Sequence, residues 1–301
     1  MTDRPTDEQL VAGLIALLDP APQGPDRFEG PRNPGGVGRV FGGQVIAQAL
    51  VAAERTVGED RAAHSLHAYF LRGGSEDHPI TLDIERDFDG GSFSNRRVVA
   101  LQPGRDGTPS PILNLTASFQ REQPGLEHQE AVAPDVPDPD DLEPDDVLRA
   151  RYAEKLEGPI RDFFLRPRPI EIRATAPAHW TSREPQKPTQ ASWFRARTAL
   201  PDDPRLHRAV LAYLSDMQLL GTSLLPHGIS WLRGEVKNAS LDHALWFHTP
   251  FRADEWLLYV TDSPWSGGSR GFNRGQIFQN GRLVASVAQE GMIRRVEPKA
   301  T

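Results

Sequence analysis

GGQVIAQALVAAERTV (42–57) decides the fold, because LHRAVLAYLSDMQLL (206–220) repeats its character in the second half of the chain. Both read as long apolar helices, and the same elements follow each in the same order. An aromatic strand comes next, HSLHAYFLR (64–72) in the first half and DHALWFHTP (242–250) in the second. A second strand and a Gly-rich turn follow, DIERDFDGGSFSNRRVVALQ (83–102) against LLYVTDSPWSGGSRGFNRGQIFQ (257–279). Each half closes on a strand, ILNLTASFQRE (112–122) against LVASVAQEGMI (283–293). Tyr69-Phe70 aligns with Trp246-Phe247 at an offset of 177 and Asn95-Arg96 with Asn273-Arg274 at 178. Gln120 aligns with Gln289 at 169, since the turn QNGR (279–282) is shorter than QPGRDGTPSP (102–111). An ordered series at near-constant offset points to internal duplication. The expected class is α+β: two tandem modules, each a long antiparallel sheet wrapped around one central helix. QNG between two strands signals a tight hairpin.

The chain of 301 residues has an ordinary globular composition and no apolar run long enough to span a membrane. Its start, MTDRPTDEQLVAGLIALLDP, reads as a helix capped at Thr6 or Asp7 and not as a signal peptide, which would be basic first. With no targeting segment the expected compartment is the cytoplasm. The absence of cysteine excludes disulfides, thiolate metal sites and a cysteine nucleophile. The net charge of −7 is uneven: residues 127–146 hold nine Asp or Glu and no Lys or Arg, so the remainder sums to +2. The folded parts are therefore free to present a basic mouth to an anionic ligand. No basic run with interleaved aromatics suggests nucleic acid. Segment 121–146, rich in Pro, Asp and Glu, reads as extended or disordered. The expected division is an N-terminal module over 1–122, an acidic Pro-rich linker over 123–165, and a C-terminal module over 166–301.

Asp216 stands out. With 205–225 read as one helix, Leu206, Val210, Tyr213, Leu214, Met217 and Leu220 form a stripe, and Asp216 lies about 40° from Leu220 on its margin. A carboxylate there is partly desolvated, so it needs donors or a raised pKa, which is what a general base needs. On periodicity alone, an aspartate at the wet edge of an amphipathic helix reads the same way. Helix 42–57 shows no acid inside its apolar stripe, and position 240 maps onto Ala63.

FGGQVIAQALVAAERTV, HSLHAYFLRGG, DGGSFSNRRVVALQ and LTASFQ, with the later LDHALWFHTPF, DEWLLYVTDSP, SRGFNRGQIF and GRLVASVAQEGMIR, resemble the acyl-CoA thioesterase II family. The resemblance covers about 27–300 apart from the linker. It implies a double hot-dog fold, hydrolysis of acyl-CoA to a free fatty or other carboxylic acid and coenzyme A, and a homo-oligomer, a dimer or tetramer. It also implies catalysis by Asp216 in YLSDMQLL, Ser240 in NASLDHALW and Gln289 in VAQEG. Relatives often carry threonine at position 240; serine keeps the hydroxyl but loses the methyl that restricts its rotamer.

The chemistry fits one carboxylate. A thiol pKa near 8.5 makes thiolate a good leaving group, so no strong general acid is required. Asp216 would take a proton from water while Ser240 and Gln289 direct it, without an acyl-enzyme. Gln289 shares strand parity with Leu283, Ala285 and Val287, yet its pairing with Gln120 suggests the more polar face. Gly42 and Gly43 open the first helix and would let a thioester oxygen or a phosphate approach backbone N–H groups; a tight strand-to-helix turn is the plainer reading. Arg270 and Arg274 are candidates for the coenzyme A phosphates, against a solvated strand face. No cofactor and no metal is expected: His64 with His67, and His243 with His248, point to opposite strand faces by spacing. The G-x-S-x-G at 267–271 lacks the strand-to-helix context of a nucleophile elbow, and the glycines at 36–38 fail the dinucleotide pattern at Phe41. Two other readings compete. One is an acyl-CoA-binding protein without catalysis, which has no need of a partly buried aspartate. The other is a hydratase or dehydratase of the same fold, for which His207 lies on the wrong side of the helix from Asp216.

Overall fold

The computed structural model describes residues 4–33, 38–176 and 182–297. Residues 36 and 37 of the rejected glycine pattern lie outside them. The first half runs α1 (Asp7–Leu17), β1 (Ala21–Gly24), β2 (Arg27–Gly30), α2 (Gly42–Glu54), β3 (Arg61–Phe70), β4 (Ile80–Asp89), β5 (Phe93–Pro103) and β6 (Pro109–Arg121). Between the halves lie α3 (Asp145–Ala153) and α4 (Gly158–Leu165). The second half runs β7 (Ile170–Ala174), β8 (Thr189–Ala196), α5 (Pro204–Ser215), β9 (Val236–Ser240), β10 (Asp242–Phe247), β11 (Leu257–Gly267), β12 (Arg270–Gln279) and β13 (Arg282–Arg295). Thr6 starts α1 with a reciprocal capping box to Gln9.

Among the described residues the strands form one antiparallel sheet, ordered β1-β2-β4-β5-β6-β3-β10-β13-β12-β11-β8-β7, with β9 added on β13. The order is a palindrome about the β3–β10 pair, as a duplication joined at its seam requires. Even the irregularities repeat. The ladder slips between Glu85 and Phe88 in β4 and between Asp262 and Trp265 in β11, each 177 residues apart. It slips again at Ala100/Leu101 and at Ile277/Phe278, with the same offset. The duplicated α+β architecture expected from the sequence is present. So is its QNGR hairpin, where Asn280 and Gly281 take the positive φ of a tight two-residue turn. The G-x-S-x-G is another such turn, between β11 and β12, with Gly268 and Ser269 at positive φ. The edge pairs β1–β2 and β7–β8 were not anticipated.

Two expectations of alignment are corrected by register. Leu71 N–H donates to Ile112 O as His248 N–H donates to Val284 O, so 112 corresponds to 284 and not to a residue at offset 169. Gln289 therefore matches Ala117, not Gln120. Arg96 faces Ala117 across the ladder as Asn273 faces Gln289, so Arg96 matches Asn273. The shared letters Gln and Asn-Arg were coincidence beside the bulges that set the true frame.

α2 and α5 pack against each other inside the curve of the sheet. Val45, Ile46, Ala47, Ala49, Leu50, Ala52 and Ala53 of α2 are all buried, so this helix is covered on every side. Its alanines permit close approach by α5. The second helix is shorter than its periodicity suggests: it ends at Ser215, Asp216 is its C-cap, and Leu220–His227 is a 3-10 segment. Gln218 takes φ 65° at the break, where its carbonyl accepts from Gln190 and its side chain from the Ser192 hydroxyl. The apolar period runs through this break, which is why the sequence hid it.

The expectation that helix 42–57 carries no buried acid also fails. Glu54, in the last turn of α2, is 2% exposed and accepts from Arg208 Nε of α5 at 2.9 Å. Burial holds its carboxyl above the ordinary range despite the guanidinium. Arg208→Met should therefore lower stability by about 3–5 kcal/mol at neutral pH by stranding a buried carboxylate. The double variant Glu54→Gln, Arg208→Met should recover most of the loss. Urea midpoints for the three proteins check this; a single variant as stable as the parent would contradict it.

Segment 121–146 is neither helix nor free tail over most of its length. Gln129 bridges to Gly281 O and Leu283 N, and Pro137 O accepts from Trp193 Nε1. Ala131, Ala133 and Val136 pack on Ala191, Leu258 and Phe278. The segment is a strap laid over the outer face of β8, β11 and β12, tied by the Gln129 side-chain amide, the Pro137 carbonyl and three small apolar contacts.

Candidate active site

The C-terminal end of α5 meets the N-terminal end of α2, and Asp216 sits at that meeting. Its Oδ1 accepts from Gln289 Nε2 at 2.7 Å, and its Oδ2 accepts from the Gly43 N–H at 2.9 Å. The Ser240 hydroxyl adds a third, weaker hold. Burial dominates these three donors and pushes the carboxyl up to about 6. The two helix ends act oppositely: the α2 N-terminus favours the anion, while the α5 C-terminus, which Asp216 caps, disfavours it. The result is a carboxylate ionised at neutral pH yet basic enough to take a proton.

The structure thus brings together the three residues expected at the site, and it supplies Gly43 from the other half. Gly43 has a different task from the one expected of it, because its N–H is occupied by Asp216. Gly42 is required to be glycine: a Cβ there would lie 2.7 Å from Asp216 Oδ2 and 2.9 Å from Phe70 Cζ. Gln289 faces inward, fully buried, which settles its direction against the face shared with Gln120. Its Oε1 is buried with no partner among the described residues.

Sequence reasoning missed a layer behind these residues. His243 is fully buried, with Nδ1 3.1 Å from Gln289 Nε2 and Nε2 2.9 Å from Ser215 Oγ. Burial lowers its pKa to about 3, so the ring is neutral. Tyr259 donates to Ser215 O at 2.8 Å. The strand parity of His243 with buried Leu245 was the available signal, but it reads equally as a core histidine. His207 is one: its Nδ1 accepts from the Ala253 N–H, remote from Asp216.

A cavity of about 320 Å³ opens in front of the site, lined by Gly42, Val45, Phe70, Ile112 and Ser240, with exposed Arg39 and Arg72 on its solvent side. Arg270 and Arg274 are not among its lining. Arg274 pairs with Asp262 at 2.5 Å and Arg270 with Glu290 at 3.3 Å, both on exposed strand surface.

The first half does not repeat these side chains. Ala63, Leu66 and Ala117 stand where the second half has Ser240, His243 and Gln289. Arg96, at the place of Asn273, is 1% exposed and fills the equivalent space, bonded to Thr56 Oγ1, Thr56 O and Asp89.

Residues 28–120 match the family described as acyl-CoA thioesterase N-terminal domain, and residues 169–292 match acyl-CoA thioesterase. The chain is 40% identical to acyl-coenzyme A thioesterase 8 of Homo sapiens, over 99% of this chain and 93% of that one. An acyl-CoA thioesterase II from Mycobacterium marinum superposes with a TM-score of 0.75 at 38% identity, covering 96% of this chain and 100% of the other. A hot-dog protein of unknown function from Alicyclobacillus acidocaldarius, 19% identical over 95% of this chain and 99% of its own, gives a TM-score of 0.72 and shares the fold.

Proposed function

The chain belongs to the acyl-CoA thioesterase family and hydrolyses acyl-CoA, and we propose that it does so with one water held by Asp216, Ser240 and Gln289. The observation that carries this reading is the environment of Asp216: a buried carboxyl raised to about 6, gripped by three donors beside a cavity. Water donates one proton toward Asp216 and the other toward the bare Gln289 Oε1, leaving a lone pair aimed at the thioester carbon. Asp216 takes the proton as the C–O bond forms. The tetrahedral species collapses, the C–S bond breaks, and the thiolate leaves as coenzyme A. The proton returns from Asp216 to sulfur or to solvent.

Gly42, at the start of α2, has its N–H outside the helix ladder and at the cavity wall, where it would polarise the thioester carbonyl. Arg39 and Arg72, on the solvent side of the cavity, would meet the phosphates; Arg270 and Arg274 pair with acids on strand surface outside its lining. The division of labour follows: residues 1–122 furnish α2 and much of the cavity wall, 123–165 the connection, and 166–301 the reacting groups.

A base that works when ionised gives a rate that rises with pH. Below about 6, kcat/KM should fall tenfold per pH unit, then level above it. His243 adds no second limb there, since it stays neutral. A thiol dye that tolerates acid, used with a short-chain acyl-CoA, measures the profile; a flat line across that limb would sink the assignment.

No helix among the described residues is long and apolar enough to cross a membrane. The cytoplasm is our proposal for the compartment, and fractionation tests it. A homo-oligomer is likewise proposed, supported by exposed Tyr69, Phe88 and Phe93 on the sheet surface, and light scattering decides it.

A further inference from the structure

We propose that His243 is a positioning residue: a neutral imidazole, protonated on Nε2, that locks the Gln289 amide with its oxygen turned toward the reacting water. The proposal rests on the general-base reading of Asp216.

The proton positions follow from counting. Ser215 Oγ donates to Ala212 O at 2.9 Å and also lies 2.9 Å from His243 Nε2. A hydroxyl has one proton, so Nε2 must carry the hydrogen and Ser215 must accept it. A neutral ring protonated on Nε2 presents Nδ1 as a bare acceptor. That acceptor faces Gln289 Nε2 at 3.1 Å, while the second amide proton goes to Asp216 Oδ1 at 2.7 Å. Both amide protons are then used. Turning the amide over would set its oxygen against two acceptors, a nitrogen lone pair and a carboxylate. Oε1 is therefore held on the opposite side, buried and without a partner among the described residues.

Asp216 cannot provide this lock by itself. In each turnover it accepts a proton, and a protonated carboxyl could donate to the amide oxygen and favour the flipped form. His243 does not change its state during the cycle, because burial keeps the ring neutral. Its bare Nδ1 opposes the flip whichever form Asp216 holds. The chain Ala212 O, Ser215 Oγ, His243, Gln289 thus transmits a fixed polarity from the end of α5 across β10 to β13. The same place in the first half is Leu66, beside Ala117 in place of glutamine, so the lock and the group it holds are missing together.

Two measurements test it. In the folded parent labelled with 15N-histidine, the His243 ring, assigned by its loss in His243→Asn, should show protonated Nε2 and bare Nδ1, unchanged as pH crosses about 6. An Nδ1–H tautomer or an imidazolium in that range overturns the proposal. In steady-state hydrolysis, His243→Asn keeps an acceptor at the Nδ1 place and should retain kcat within a few-fold of the parent. His243→Leu removes it, and kcat should fall at least about tenfold further at unchanged KM. Equal losses in the two variants, or none in either, would also overturn it. Should the leucine variant fail to fold, the ring spectrum of the parent decides. An Asp216→Asn protein with parental kcat would instead defeat the general-base reading beneath it, so the two failures are distinct.

Discussion

Asp216→Asn is expected to lower kcat at least a hundredfold while the protein stays folded and still binds acyl-CoA. The loss follows from removing the carboxylate that accepts from Gln289 and Gly43: an amide has no basicity at neutral pH, and a positioned general base contributes about 10²–10⁴-fold. The fold should tolerate the change. Asparagine has the same shape, and the site already disfavours charge, since burial raises the native carboxyl. One cost remains. Gly43 N–H and Gln289 Nε2 both donate to position 216, and asparagine accepts with one end only, so one donor meets another at a cost of about 1–3 kcal/mol. Relief from burying an anion offsets part of it. Circular dichroism and thermal melting verify the fold, and a thiol-release assay across short, medium, long and branched acyl-CoAs reads turnover. A variant that keeps most of its kcat on any thioester the parent cleaves would remove Asp216 from the chemistry.

Much of the scaffold was legible because strands and turns announce themselves locally. The strand pairs before and after each Gly-rich turn, and the QNGR hairpin, could be placed from alternation and turn residues. Register could not. Bulges at Glu85/Phe88 and Asp262/Trp265 shift the frame, and no local pattern records a bulge. The end of α5 was hidden for a related reason: Leu219 and Leu220 continue the apolar period although their backbone has left the helix. Composition left the strap as extended or disordered and could not decide between them: Ala131, Ala133 and Val136, the residues that pack, are too small to offset its acids on a composition scale, yet they suffice against an existing surface. At the site, Asp216 was conspicuous as a carboxylate in an apolar run. The Gly43 contact lies 173 residues away in sequence, and no reading of one half would reveal it. The family resemblance carried Ser240 and Gln289; alternation alone left the direction of Gln289 undecided.

Gln289→Met should cost about a hundredfold in turnover at neutral pH and move the acid limb of the rate profile upward. Two separable effects combine. The amide is the strongest of the three donors opposing the burial of Asp216, so its removal lets the carboxyl climb further above about 6. A base raised in this way ionises later, and the limb where rate rises with pH must shift to higher pH. Raising the pH recovers that part of the loss. The second part persists on the plateau, because methionine has no oxygen to accept the water's other proton and no N–H to hold the carboxylate. Methionine matches glutamine in length and volume, so the buried strand should keep its packing. His243 then loses its partner at Nδ1 but stays neutral in its apolar surroundings. Profiles of kcat and kcat/KM for parent and variant resolve the two parts. A limb that stays at the parental pH would mean that Gln289 does not tune Asp216. A plateau equal to the parent's would mean that it does not steer the water, and the reaction would need another guide.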